Sequence, residues 1–116
     1  MKPVADYDLA IVGASFAGLT AARCAALRGL KVLVIEAKKD PGARIHTTGI
    51  VVREAAEAVD IPHTVTRRVR GIRLYAPSGR HMDLFAPGYA FLTTDTAALM
   101  RWLADEAVRA GVEIRC

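Results

Sequence analysis

The sequence predicts an α/β fold: a βαβ unit builds a parallel sheet, and a partial antiparallel hairpin layer is added to it. Three observations carry this expectation. Tyr7–Val12 and Val32–Ile35 are short, nearly continuous apolar runs, the pattern of strands buried on both faces of a parallel sheet. A glycine turn and a stretch of small, helix-forming residues lie between them. Beyond residue 68 the apolar period shortens to two, as in strands that bury one face.

The first run ends at Gly13. From Phe16 to Arg28 the chain is rich in alanine and leucine, and Gly29 supplies a C-terminal stop. The second run closes at Glu36, which completes strand, turn, helix and strand within the length of one βαβ unit. Ala37 to Gly49 is polar and irregular, with Asp40-Pro41-Gly42 as a turn signal. Val51 to Val59 predicts a short helix that ends before Pro62. Val69–Tyr75 alternates, Pro77-Ser78-Gly79 turns, and Arg80–Phe85 returns as the hairpin partner. Tyr89–Leu92 is expected as a third strand of that layer. Thr94 or Asp95 then caps a helix to about Ala110, with Leu99, Trp102, Leu103 and Ala107 on its core face. Gly111 ends that helix. Val112–Arg115 should join the parallel sheet, with the strand ending at Glu36 in the middle.

Composition excludes several functions. Hydrophobic residues make up 53% and charged residues 24%, as in ordinary globular proteins. No apolar run is long enough to span a bilayer. Met1–Asp6 lacks the pattern of a secretory signal, so a cytoplasmic protein is expected. The net charge of +4 is concentrated in Arg67, Arg68, Arg70, Arg73 and Arg80, without a nucleic-acid motif, so neither DNA nor RNA is an expected partner. Cys24 and Cys116 are read as unpaired thiols, and His46, His63 and His81 have no metal-ligand spacing. Asp95 reads as a helix cap, not an acid catalyst.

The chemistry is concentrated in Gly13-Ala14-Ser15-Phe16-Ala17-Gly18. Gly13 permits the tight turn out of the strand, and Gly18 with Ala22 lets the helix lie close to the sheet. The first-turn amides and the positive end of the helix dipole suit a diphosphate. Ser15 stands where the middle glycine of G-x-G-x-x-G is expected; its Cβ takes up room beside the phosphates, while its hydroxyl offers a donor. Glu36, at the end of the second strand, is placed to accept hydrogen bonds from ribose hydroxyls, with Ala37 and Lys38 following it as further contact candidates. Arg44 can carry a guanidinium to a phosphate.

Asp8–Leu19 followed by Gly29–Glu36 resembles the N-terminus of flavoproteins with the para-hydroxybenzoate hydroxylase type of fold, and is most similar there to the geranylgeranyl reductase family. Pro41-Gly42-Ala43-Arg44 and Thr48–Glu54 are similar to that family's stretch beneath the flavin. The resemblance implies a Rossmann-like FAD-binding unit, with the ADP half on the Gly13–Gly18 turn and Glu36, and with Arg44, Thr48 and Gly49 toward the flavin half. It implies an FAD-dependent oxidoreductase, reductase-like or monooxygenase-like, acting on a small molecule with NAD(P)H as a candidate reductant. Two positions differ from the family. Thr47-Thr48 replaces the cysteine usual before the glycine aligned with Gly49, and Thr96–Met100 lacks the arginine and Phe-Asp pair usual at the helix entry.

The family's later Gly-Asp motif would lie beyond residue 116, so the chain is expected to be one piece of a larger whole, inactive alone and prone to self-association. Its expected parts are 1–62 (βαβ and flavin loop), 63–93 (first substrate-domain strands) and 94–116 (helix and third parallel strand). An NAD(P)-linked dehydrogenase, or a nucleotide-binding module without turnover, are the alternatives. No catalytic residue is identified.

Overall fold

The computed structural model describes residues 6–116, so the segment read above for a signal sequence lies largely outside the described residues. In chain order the elements are β1 (Leu9–Val12), α1 (Phe16–Leu27), β2 (Val32–Ile35), β3 (Ile50–Val51), α2 (Arg53–Val59), a 3-10 turn (His63–Val65), β4 (Thr66–Val69), β5 (Gly71–Tyr75), β6 (His81–Phe85), β7 (Phe91–Thr94), α3 (Thr96–Arg109) and β8 (Glu113–Arg115). They form two compact units, one of the described residues through Ile45 with Ala97–Cys116, the other of His46–Thr96.

The first unit contains the parallel sheet, in the order β1-β2-β8, with β2 central and parallel to both neighbours. Both helices return the chain to the sheet in the same way. At the end of α1 the Gly29 N–H donates to Ala26 O (2.9 Å) and Leu30 N–H to Ala25 O (3.2 Å). At the end of α3 the Gly111 N–H donates to Val108 O (2.9 Å) and Val112 N–H to Ala107 O (3.1 Å). This paired bonding satisfies carbonyls that a helix end otherwise leaves bare. Leu19 and Ala22 of α1, Val32, Leu33 and Val34 of β2, and Leu99, Met100, Leu103, Ala104 and Ala107 of α3 are buried and form the core. Leu19, Leu99, Val32 and Val34 are fully enclosed, each contributing about 1.5–3 kcal/mol of apolar burial.

Val32, Leu33 and Val34 of the central strand are buried as expected, while Ile35 at its end is exposed. In β1, Leu9 and Val12 are exposed, because β1 is an edge of this sheet and a run of apolar residues does not distinguish edge from centre. Trp102, expected in the core, is half-buried.

The second unit differs from the expected hairpin layer in how its strands pair. β5 and β6 form the predicted hairpin, closed by Ala76 N–H to Arg80 O (2.8 Å) and braced by a bidentate Arg73–Asp83 ion pair. The strand expected beside them is β7, shifted to Phe91–Thr94, and it pairs with β3 and β4 instead, antiparallel to both. The alternating run that reads as one strand divides at Arg70 into β4 and β5. Ile50 and Val51, the second of which the sequence places in the helix, form the short β3, so α2 begins only at Arg53. The alternation predicts one buried face, but within the described residues neither face of the hairpin is covered, and Ile72, Leu74, Met82 and Leu84 are exposed.

Among the described residues no helix is long and apolar enough to cross a membrane.

The tightest point of the first unit is Gly18, where an added Cβ would lie 1.9 Å from the Gly13 carbonyl oxygen. Glycine to alanine in an unobstructed helix gains about 1 kcal/mol. Here overpacking against backbone reverses the sign, and Gly18→Ala is expected to cost about 2 kcal/mol net. Urea unfolding of the two proteins checks this; an unchanged or higher midpoint for the variant contradicts it.

Candidate functional site

β1 delivers the chain to Gly13, whose φ of +101° lies in the region that favours glycine and whose N–H donates to Ile35 O at 2.8 Å. Ala14 is buried, with 1% exposure, and its N–H donates to Glu36 Oε2 at 2.7 Å. Ser15 is the extended N-cap of α1 and makes no side-chain capping bond; its carbonyl accepts the Leu19 N–H at 2.9 Å. The N–H groups of Phe16, Ala17 and Gly18 precede that first helical bond, and no acceptor among the described residues meets them. The first turn of α1 contains no acidic residue. Ser15 and Ala17 are exposed. The helix therefore begins with uncommitted donors and an unneutralised positive pole, open to solvent, which is the chemistry that holds a phosphate.

Glu36 follows β2, and its carboxylate bridges two amides. Oε2 accepts from Ala14 and Oε1 from the Lys38 N–H at 2.9 Å. The Ala14 amide first, then the Lys38 amide, hold its pKa below the ordinary glutamate range, so Glu36 is ionised at neutral pH. Each oxygen retains a further lone pair for a hydroxyl donor. An anionic acceptor beside the start of a helix suits a ribose diol next to a diphosphate, and opposes a phosphate placed on the ribose itself.

The loop after Glu36 is fastened at several points. Ala37 is exposed. Lys38 Nζ donates to Ala43 O (3.0 Å) and Pro41 O (3.3 Å). Asp40 Oδ1 accepts the Gly42 N–H (2.9 Å) and Arg101 Nε (3.0 Å), while Oδ2 accepts Arg101 Nη2 (2.7 Å). Arg101 chiefly, then the Gly42 amide, lowers the Asp40 pKa. Arg44 leaves this loop exposed, with a φ of +48°. Sequence reading singled out neither Asp40 nor Arg101 as part of the site. They are 61 residues apart, and the Asp-Pro-Gly turn was the one local signal.

Thr48 and Gly49 belong to the second unit. Thr48 is exposed. Gly49 is buried; its carbonyl accepts the Thr94 N–H (2.9 Å) and hydroxyl (3.1 Å), and a Cβ would lie 2.4 Å from Thr96 Oγ1. Packing within its own unit thus accounts for glycine at that position. His46, His63 and His81 are exposed, and the described residues contain no group of His, Cys, Asp or Glu able to hold a metal. Cys24 and Cys116 are free and exposed.

A parallel sheet whose first strand runs through a glycine turn into an open helix start places this chain in the class of α/β nucleotide-binding domains. It belongs to the NAD(P)-binding Rossmann-like domain family, whose model matches residues 11–87. The digeranylgeranylglycerophospholipid reductase of Methanosarcina acetivorans is 31% identical over 94% of this chain, which spans 28% of that protein. The thiamine thiazole synthase of Pyrobaculum calidifontis is 40% identical over 94% of the chain, spanning 37% of that protein. Among solved structures, a geranylgeranyl bacteriochlorophyll reductase-like protein from Thermoplasma acidophilum superposes with a TM-score of 0.79 at 29% identity, covering 93% of this chain and 29% of that one. The chain thus spans less than two-fifths of the length of these relatives.

Replacing Glu36 with Ala is expected to weaken ADP binding by about 1–3 kcal/mol, through loss of a charged acceptor for ribose hydroxyls. Isothermal titration calorimetry of both proteins with ADP checks this, and equal affinities would remove Glu36 from the site.

Proposed function

We propose that the chain is the ADP-binding part of an FAD-dependent oxidoreductase. The observation that carries the reading is the pairing of three uncommitted amides, at Phe16, Ala17 and Gly18, with an ionised Glu36 whose oxygens still have room to accept. The donor set fits the ADP half of FAD: helix amides for the diphosphate, carboxylate for the ribose. Gly13, Ala14 and Ser15 shape the turn, and Ala37 and Lys38 continue from the carboxylate. Arg44, Thr48 and Gly49 are assigned to the flavin half on the resemblance alone. Bound flavin would supply the redox chemistry, and these residues would bind and orient its nucleotide end. The reductase names of the relatives support redox chemistry on a small molecule, with NAD(P)H as the proposed reductant.

A second reading has its own support. The family's description names NAD(P), so the same turn and carboxylate would serve an NAD-type dinucleotide. The flavin reading predicts that purified protein carries, or takes up, FAD with its visible absorption bands, and binds FMN at least tenfold more weakly because FMN lacks the adenylate half, and with it the ribose diol and the second phosphate. Equal affinity for FAD and FMN, or tighter binding of NAD than of FAD, would overturn it.

Ser15 supplies a finer test. With no capping bond to lose, Ser15→Gly is expected to leave FAD affinity unchanged or slightly improved. A loss greater than tenfold, measured by flavin fluorescence quenching, would show instead that the hydroxyl donates to the diphosphate.

A further inference from the structure

Resting on the nucleotide reading above, we infer that Glu36 is also a positioning residue for the diphosphate turn, acting through the Ala14 amide as well as accepting from the ribose. Ala14 stands between Gly13, which ends the β1 path, and Ser15, which occupies the N-cap position of α1 without a side-chain bond. Ala14 is buried, and its N–H is satisfied at 2.7 Å by Glu36 Oε2. The other oxygen of the same carboxylate holds the Lys38 amide at 2.9 Å. A single side chain therefore ties the exit of β2 to the turn that leaves β1.

Two consequences follow from this geometry. The Gly13 amide is committed to Ile35 O and the Ala14 amide to Glu36, which leaves the phosphate donors to the amides from Ser15 onward. Removing the carboxylate leaves a buried N–H without its acceptor, and such a group costs more than the bond is worth when made. The turn must then shift to hydrate Ala14, and in shifting it re-aims the first amides of α1. Neither effect requires a ribose in the ligand.

That independence gives the test its sign. Inorganic pyrophosphate has no ribose and is an anion, so a Glu36 that served only the ribose would repel it. Removing that charge would leave pyrophosphate affinity unchanged or raise it. A positioning Glu36 predicts the opposite. Glu36→Ala should weaken pyrophosphate about fivefold, the fold-change of one typical net hydrogen bond. Glu36→Gln, which keeps one carbonyl acceptor, should fall between the variant and the parent.

Isothermal titration calorimetry of the full chain and both variants with pyrophosphate reads this directly. If the parent binds and Glu36→Ala binds equally or more tightly, the positioning role is overturned while the ADP reading stands. If the parent binds neither pyrophosphate nor ADP, both fall. Should the alanine variant not fold, the unaltered protein supplies a second trial. In ¹H–¹⁵N spectra recorded during acidification, the Ala14 and Lys38 amides should move together with one midpoint, below the ordinary glutamate range. An Ala14 amide that ignores this titration would overturn the inference.

Discussion

Helix α1 meets the sheet with no room for a side chain at residue 18, and much of the first unit depends on that contact. The would-be Cβ of Gly18 falls 1.9 Å from the Gly13 carbonyl oxygen, far inside van der Waals contact, so the first helical turn rests directly on the backbone that leaves β1. This closeness fixes where the helix begins, and with it the direction in which its leading amides point. Leu19 and Ala22 of the same helix are fully buried, as are Val32 and Val34 of β2. The core and the geometry of the helix start are in this sense one arrangement. Bulk added at Gly18 would disturb both.

Electrostatics complete what the packing begins. An N-terminal serine commonly caps its own helix, and an acid in the first turn commonly neutralises the dipole. Neither occurs in α1, while the nearest carboxylate is held to one side by Ala14 and Lys38. The helix start is left positive and open, and the negative charge stands beside it instead of within it. Such a separation suits a ligand with an anionic centre flanked by hydroxyls. The loop beyond Glu36 is fixed in turn by Lys38 on two carbonyls and by the Asp40–Arg101 pair, so the residues following the carboxylate keep their course.

What could be read from the sequence was what is local in it. The βαβ unit, its glycine turn and Glu36 lie within one continuous stretch, and each is specified by neighbours a few residues away. The parallel place of β8 followed from a second helix and strand with the same glycine ending. Contacts that join distant stretches left no such mark. Asp40 and Arg101 lie 61 residues apart in the two separate segments of the first unit, and nothing in either segment announces the other. Ile50 and Val51 are too few to show a period, so β3 was hidden, and without it β7 had no visible partner except the hairpin. Likewise, the apolar run of β1 reads the same at an edge as at a centre, though Val12 is largely exposed.

The central claim is that the first-turn amides of α1, aligned by the Gly18 contact, are the anion donors of this protein. Backbone amide shifts in ¹H–¹⁵N spectra during an ADP titration test it most directly. The account predicts saturable downfield movement of the Phe16, Ala17 and Gly18 amides, larger than that of any amide in His46–Thr96. Saturation by ADP with those three amides unmoved would contradict it.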